Sequence, residues 1–314
     1  MAPINSRQAA VVDPILSTHA RGYRNHDFIS PFLFPRAQVP NRSMRQLKFG
    51  KESFRLLNTK RAPGSNVKRI QYGYASDPIS LVQDALEGIV PIEHQQEAMS
   101  VPGFDLGAGA VNMVLDAIDL GLEFECATMA RNPANYAASN KVTLLTTARW
   151  TQAASTPITD IKAGNEAIRR MTGRYANTLV LGPNAKNALT SHATIKDQFK
   201  YTSAQSITTA MLAAFLELEN VVVGKAVYLP DTAADTALAT DVWGDDAILA
   251  YVPKGENYQV PSYGYTYELA GYPLVEQPYY SRETKSWIYP TTAERRPYIV
   301  GADAGFLFVN AGQP

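Results

Sequence analysis

Four histidines, one cysteine and a pair of adjacent carboxylates are the residues whose types could do chemistry, and their spacing argues against it. His19, His26, His94 and His192 are scattered, and none has a second His or Cys at metal-ligand spacing. Cys126 sits in an apolar stretch with no activating neighbour in sequence, which reads as a buried, inert thiol. Asp245-Asp246 could share acid–base work, but acids beside a glycine turn are expected to form a solvated loop. Gly107-Ala-Gly109-Ala-Val-Asn112 opens like a dinucleotide fingerprint. Its third glycine is missing and no strand precedes it, so close packing of a helix is the expectation. No Walker loop, G-x-S-x-G or H-E-x-x-H occurs. The chain is expected not to be an enzyme, with no catalytic, cofactor-binding or metal-ligating residues and no cofactor.

The C-terminal part interleaves Tyr258, Tyr263, Tyr265, Tyr267, Tyr272, Tyr279, Tyr280, Trp287 and Tyr289 with Arg282, Lys285, Arg295 and Arg296. Such rings could stack single-stranded bases. Tyrosines alternating at strand spacing favour instead a sheet that buries its rings and leaves hydroxyls at a polar rim. Composition supports the second reading, because 29 Lys and Arg against 29 Asp and Glu leave no net charge. Tight nucleic-acid binding rests on net positive patches that release counterions.

Charge is nevertheless unevenly placed. From Arg42 to Tyr74 there are nine basic residues (Arg42, Arg45, Lys48, Lys51, Arg55, Lys60, Arg61, Lys68 and Arg69) and one acid, Glu52. Apolar residues alternate on both sides of a turn signal at Ala62-Pro63-Gly64-Ser65-Asn66: Leu47, Phe49, Phe54 and Leu56 before it, Ile70, Tyr72 and Tyr74 after it. The pattern predicts a long two-stranded ribbon, marginal in water by itself, whose arms of about 12 residues reach roughly 40 Å. It must lie on something else, and a second copy of the chain is the inferred partner. Lys48, Phe49, Lys51, Phe54, Arg55, Leu56, Lys60, Arg61, Lys68 and Arg69 are the candidate contacts. Between Asp231 and Glu256 six acids face Lys254 alone, a sign asymmetry that suits self-association.

The elements around this ribbon follow from periodicity. Residues 1–44 carry five prolines and little pattern, so an extended arm is expected, ordered by a partner or by the body. Asp105 to Arg131 predicts a long helix, apolar on most sides, with Asp105, Asn112, Asp116, Asp119 and Glu123 in one polar seam. That seam has two possible partners, a lumen or a neighbour's arm. From Trp150 an α/β block is expected. A helix opens at Thr156-Pro157 and closes at Gly173, with strands at 178–181, 221–223, 226–229 and 247–252, a short helix from Pro183 and another near 206–218. Strands Tyr263 to Tyr267, Trp287 to Tyr289, Tyr298 to Val300 and Phe306 to Val309 close the chain. Neither a signal peptide nor an 18-residue apolar run is found, and the single cysteine fits a reducing compartment. A soluble protein made inside the cell is expected.

Order and spacing together carry a resemblance. Trp150 with Thr156-Pro-Ile-Thr-Asp-Ile161, then Asn177-Thr-Leu-Val-Leu-Gly-Pro183, Val221-Val-Val-Gly-Lys-Ala226, Trp243-Gly244 and Ala250-Tyr-Val-Pro253 resemble the major capsid proteins of tailed bacteriophages. The ribbon resembles that family's extended loop, and the long helix its spine. The resemblance implies an α+β subunit of the Hong Kong 97-like fold. Its parts would be an N-terminal arm at 1–44, the extended loop at 45–75 and a peripheral domain at 76–150 with the spine at 105–131. An axial domain at 151–262 and closing strands at 263–314 would complete it. It also implies self-assembly of hexamers and pentamers into an icosahedral virion shell built in the bacterial cytoplasm. Double-stranded DNA would be contacted weakly, without sequence specificity, and portal, scaffold and decoration proteins are implied partners. Some relatives cross-link a loop lysine, for which Lys51 or Lys60 are the candidates, and the short arm leaves no large N-terminal scaffolding segment. The alternatives are an encapsulin-like nanocompartment shell, an α/β enzyme with an unrecognised site, and a phage connector or tail component.

Overall fold

The computed structural model describes residues 12–45, 60, 78–98, 105–200, 207–234, 236–255 and 260–314. The arm comes first, as α1 (Pro14–Gly22), the single turn α2 (Ser30–Leu33), β1 (Arg36–Val39) and β2 (Ser43–Arg45). Then follow β3 (Pro78–Ser80), β4 (Val82–Pro91), α3 (Ile92–Ala98) and α4 (Leu106–Arg131). An α/β run comes next: β5 (Lys141–Thr143), α5 (Pro157–Thr172), β6 (Thr178–Leu181), α6 (Pro183–Ser191), α7 (Ala193–Phe199), α8 (Thr209–Phe215), β7 (Asn220–Val223), β8 (Val227–Tyr228), β9 (Thr240–Asp241) and β10 (Ala247–Ala250). The closing strands are β11 (Gly264–Leu269), β12 (Leu274–Val275), β13 (Tyr279–Ser281), β14 (Ser286–Ile299) and β15 (Gly305–Val309).

Five strands in the order β5-β15-β10-β6-β7 form one sheet. Both of its faces are covered, which is why β6 and β10 are apolar without alternation. Leu179, Leu181, Leu249 and Phe308 pack with Ile161, Ile168, Leu189 and Leu212 from α5, α6 and α8. Val180, Ile248 and Leu307 point the other way, to Leu122, Cys126 and Ala127 of α4 and Phe34 of the arm. Pro157 begins α5 as expected and Gly173 ends it in a left-handed conformation (φ 71°). Thr156 occupies the N-cap position without a side-chain cap bond. Asp160 accepts instead from the Trp150 indole N–H at 3.1 Å. The helix expected at 206–218 is shorter, and α7 was not anticipated. His192 breaks the apolar pattern there, because its Nδ1 accepts from the Thr194 N–H at 3.3 Å and starts a new helix.

The second sheet is built on β14, which pairs antiparallel with β4 from Ser286 to Arg295. Its other edge takes β13, β12 and β11 in turn, and β1 joins β11 in parallel. The two strands expected at 287–289 and 298–300 are therefore one, running through Pro290 and Pro297. The Pro290 carbonyl accepts from the Glu276 N–H at 3.0 Å, so its missing donor faces the gap between β12 and β13. Pro297, seven residues on, faces the opposite edge, beyond the last β4 pair at Arg295–Val82. Neither proline removes a ladder bond.

α4 spans both sheets, at about 1.5 Å per residue some 39 Å long. Asp105, expected inside the helix, is its N-cap: Oδ1 accepts from Gly107 and Ala108 N–H at 2.9 and 3.1 Å. Val111 and Leu115 pack with Val90 and Tyr289 of the second sheet, and Val114 and Ile118 with Ala293. A Cβ on Gly107 would stand 2.9 Å from the Tyr289 ring, so this glycine serves close packing as expected. Among the described residues no helix is long and apolar enough to cross a membrane.

Phe308 is fully buried against Trp150 and Phe306. Phe308→Ala should cost about 3–5 kcal/mol. A Cβ on Gly164 of α5 would stand 2.9 Å from the same ring. Gly164→Leu should therefore also lower the thermal unfolding midpoint, although leucine is the better helix former.

Candidate functional site

The polar seam of α4 faces the chain's own arm. Asn112 Oδ1 lies 2.9 Å from His19 Nε2. Asp116 Oδ1 accepts from Tyr23 Oη at 2.9 Å and from Asn25 Nδ2 at 2.8 Å. Glu123, fully buried, accepts three bonds: the Ile29 N–H (3.0 Å) and the Trp243 indole N–H (2.6 Å) on Oε1, and the Ser30 N–H (2.8 Å) on Oε2. Asp119 is gripped by Arg36 of β1 at 3.3 Å and Arg295 of β14 at 2.5 Å. Of the two partners open to the seam, a lumen or a neighbour's arm, neither is the observed one. The arm is likewise not extended throughout. Asp13 caps α1 by accepting from Ile15 and Leu16 N–H, and Val12 bridges to Glu276.

One further expectation is corrected, and two are met. Asp246 is not a solvated loop acid: it is buried, accepting from Arg131 Nε at 2.7 Å and the Asn310 N–H at 2.8 Å. It thereby ties the C-terminal end of α4 to the first sheet. Tyr263, Tyr265 and Tyr267 are buried and offer no stacking platform. The Tyr263 hydroxyl meets that of Tyr136 at 2.5 Å. Tyr265 donates to the Val260 carbonyl at 2.9 Å, and burial pushes its hydroxyl up to about 12. Cys126 is buried as expected, and burial raises its thiol pKa well above the usual value. Among the described residues no three His, Cys, Asp or Glu are grouped to hold a metal.

The contact candidates Lys48, Phe49, Lys51, Phe54, Arg55, Leu56, Arg61, Lys68 and Arg69 lie outside the described residues, as does the turn at 62–66; Lys60 is described and exposed. Both ends of the segment are fixed, since β2 pairs antiparallel with β3 from Ser43↔Ser80 to Arg45↔Pro78. Arg42 Nε pairs with Glu294 at 2.8 Å. Arg45 and Pro78 are thus neighbours at the end of a separate two-stranded sheet.

An opposite charge field begins where the basic one ends. No Lys or Arg occurs between Arg69 and Arg131, a stretch holding ten Asp and Glu. The seam uses three of these internally, while Asp84 and Glu87 of β4 and Glu93 of α3 are exposed. Among the described residues β4 pairs along one edge only, and it exposes Val82, Leu86 and Ile89. Between β4 and α4 lies a groove of about 530 Å³, lined by residues 83–86, Ala117, Ile118, Gly121, Leu122, Glu125 and Arg295. Burial raises the Glu125 carboxyl pKa, Arg296 opposes this from 3.7 Å, and Asp84 adds to it. Sequence periodicity did not single out these groove residues. The missing cations over 70–130 were the legible signal.

Glu123→Gln places an NH2 against one of the two arm N–H groups and should cost about 2–3 kcal/mol. Asp105→Ala removes only a cap and should cost about 1 kcal/mol. Thermal unfolding should rank the two, and only Glu123→Gln should open residues 13–36 to limited proteolysis.

Comparison with known proteins gives a consistent answer. Residues 135–287 match the family described as phage major capsid protein E. The chain is 37% identical over 302 residues to the major capsid protein of Burkholderia phage BcepMu, covering 95% of each chain. A crystal structure of a phage-related protein from Bordetella bronchiseptica RB50 superposes with a TM-score of 0.83 at 47% identity, covering 98% of this chain and 99% of that one. The mature capsid subunit of bacteriophage PhiM1 shares the fold at 13% identity (TM-score 0.52, covering 90% and 86%). The chain therefore belongs to the phage major capsid proteins and has the Hong Kong 97-like fold.

Proposed function

We propose that the basic stretch from Arg42 to Tyr74 of one subunit lies over the acidic surface of an adjacent subunit, and that this contact drives closure of the icosahedral capsid. The observation that supports it is the segregation of charge along the chain. Nine basic residues and one acid are followed by ten acids without a Lys or Arg before Arg131. Opposite fields on two surfaces steer encounter and fix register. Lys48, Lys51, Arg55, Lys60, Arg61, Lys68 and Arg69 supply charge, with Phe49, Phe54 and Leu56 as apolar anchors. In this reading residues 1–44 are the arm, 45–75 the extended loop, 76–150 the peripheral domain, 151–262 the axial domain and 263–314 the closing strands. Hexamers and pentamers form in the host cytoplasm, with scaffold, portal and decoration proteins as further partners.

Overall neutrality suits a wall that accepts double-stranded DNA and later releases it, since a cationic lining would hold it. Interfaces of a specific complex bury about 1,200–2,000 Å², and a closed shell can rely on modest contacts because many form together.

Lys48→Glu, Lys51→Glu and Arg55→Glu combined should abolish particle formation in electron micrographs of the expressed protein, and unchanged particle yield would overturn the reading. Raising salt should slow assembly more than it dissociates finished particles, because exposed pairs are screened and covered ones less so. Particles boiled in detergent should run as a single 34.4 kDa band; a ladder of higher bands would instead point to covalent linkage through Lys51 or Lys60.

A further inference from the structure

We propose that Arg24, Arg36 and Arg295 form a binding site for a single phosphate group where the arm, α4 and the second sheet meet. In the filled particle that group would be a backbone phosphate of the packaged duplex, and free inorganic phosphate offers the same chemistry. Only the choice of source rests on the DNA-accepting wall proposed above.

Strand register assembles the site. Glu268 of β11 pairs with Arg295 of β14, and Arg36 of β1 pairs with Thr266, two residues before Glu268. Paired residues, and residues two apart on a strand, share a face, so all three project from one side of the sheet. Asp119 of α4 lies on that side: Arg36 Nη2 and Arg295 Nη1 reach its Oδ1 at 3.4 and 2.5 Å. Arg24 arrives from the turn between α1 and α2, where its Nη1 donates to the Arg21 and Tyr23 carbonyls at 3.1 and 2.9 Å.

Charge in this cluster does not balance. Three guanidinium groups share two carboxylates, and Arg36 and Arg295 already take Asp119. Glu268 is 5% exposed, and among the described residues its carboxylate makes no hydrogen bond or ion pair. Burial raises its pKa, which favours the uncharged form. Burial, and then Arg36, lower the Arg24 pKa. The neighbouring acids are engaged elsewhere, Asp116 by Tyr23 and Asn25 and Glu125 by Arg296. Buried charge without a counter-charge is costly.

Unused donors are a separate observation. Arg295 is 4% exposed, and its Nε and Nη2 have no partner among the described residues; the buried Nε of Arg36 has none either. Such orphan donors are rare. A water would take the hydrogen bonds and leave the charge. A phosphate supplies both, and guanidinium forks suit its oxygens. The approach also selects an anion: no acid occurs between Asp13 and Asp27, where His19, Arg21, Arg24 and His26 are exposed.

Calorimetric titration of inorganic phosphate into the dispersed subunit at constant ionic strength should show one site per chain. Arg24→Gln should weaken binding about tenfold, equivalent to roughly 1.4 kcal/mol. Glu268→Gln should tighten it by removing the competing carboxylate. Arg170→Gln, at an exposed position of α5, should bind as the wild type does. No binding to the wild type, undiminished binding by Arg24→Gln, equal loss in both arginine variants, or weaker binding by Glu268→Gln would overturn the site. The photoreactive residue benzoylphenylalanine at position 26 then separates the sources. Cross-links to DNA in filled particles assign the duplex phosphate; phosphate binding without such cross-links overturns that assignment and leaves free phosphate as the ligand. Because the titration uses the dispersed subunit, it decides the site whether or not the charge reversals at Lys48, Lys51 and Arg55 stop assembly.

Discussion

A carboxylate taken out of water must find donors for its oxygens, and α4 buries two, Asp119 and Glu123, where few groups can supply them. Glu123 finds two backbone N–H groups at the start of α2 and the indole of Trp243. Asp119 finds Arg36 and Arg295. Together these bonds reach three parts of the chain: the arm, the β8–β10 region and the long strand β14. Removing the arm would take two of Glu123's three donors and Arg36 from Asp119, so residues 29–36 belong to the subunit's own structure. The same helix places apolar residues into the cores of both sheets, which makes it the element against which everything else is positioned.

Two uses of negative charge follow from this arrangement. The acids of the seam are consumed internally, by partners that are near in space and far in sequence. The acids of β4 and α3 stay at the surface, next to a strand edge that is unpaired among the described residues and to exposed Val82, Leu86 and Ile89. A subunit finished inside and unfinished outside is what a shell protein requires. It must fold before it meets its neighbours, yet keep polar and apolar groups whose best partners belong to another copy.

Much of this was legible in the sequence where a single period governs. The α4 helix is read to within one residue because its apolar faces repeat every 3.6 positions, and β6 and β10 stand out as short apolar runs. Long-range constraints hid the rest. Pro290 and Pro297 look like strand breaks until β4 and the short β12 show that their missing donors face gaps. Asp13-Pro14, a cap followed by a first-turn proline, marks α1, but the surrounding prolines mask it. The partners of the seam were beyond reach, since no local pattern connects Ile29 with Glu123. The charge of residues 42–69 was plain in the sequence, while Asp84, Glu125 and Arg295 meet only through tertiary packing.

Hydrogen–deuterium exchange of the dispersed subunit and the assembled particle, measured side by side, tests the central claim most directly. The Ile29 and Ser30 amides, bonded to Glu123 within one chain, should be protected equally in both states. The β4 amides that point away from β14 should exchange freely in the subunit and become protected in the particle. Equal exchange of β4 in both states, or an arm that gains protection only on assembly, would contradict the account.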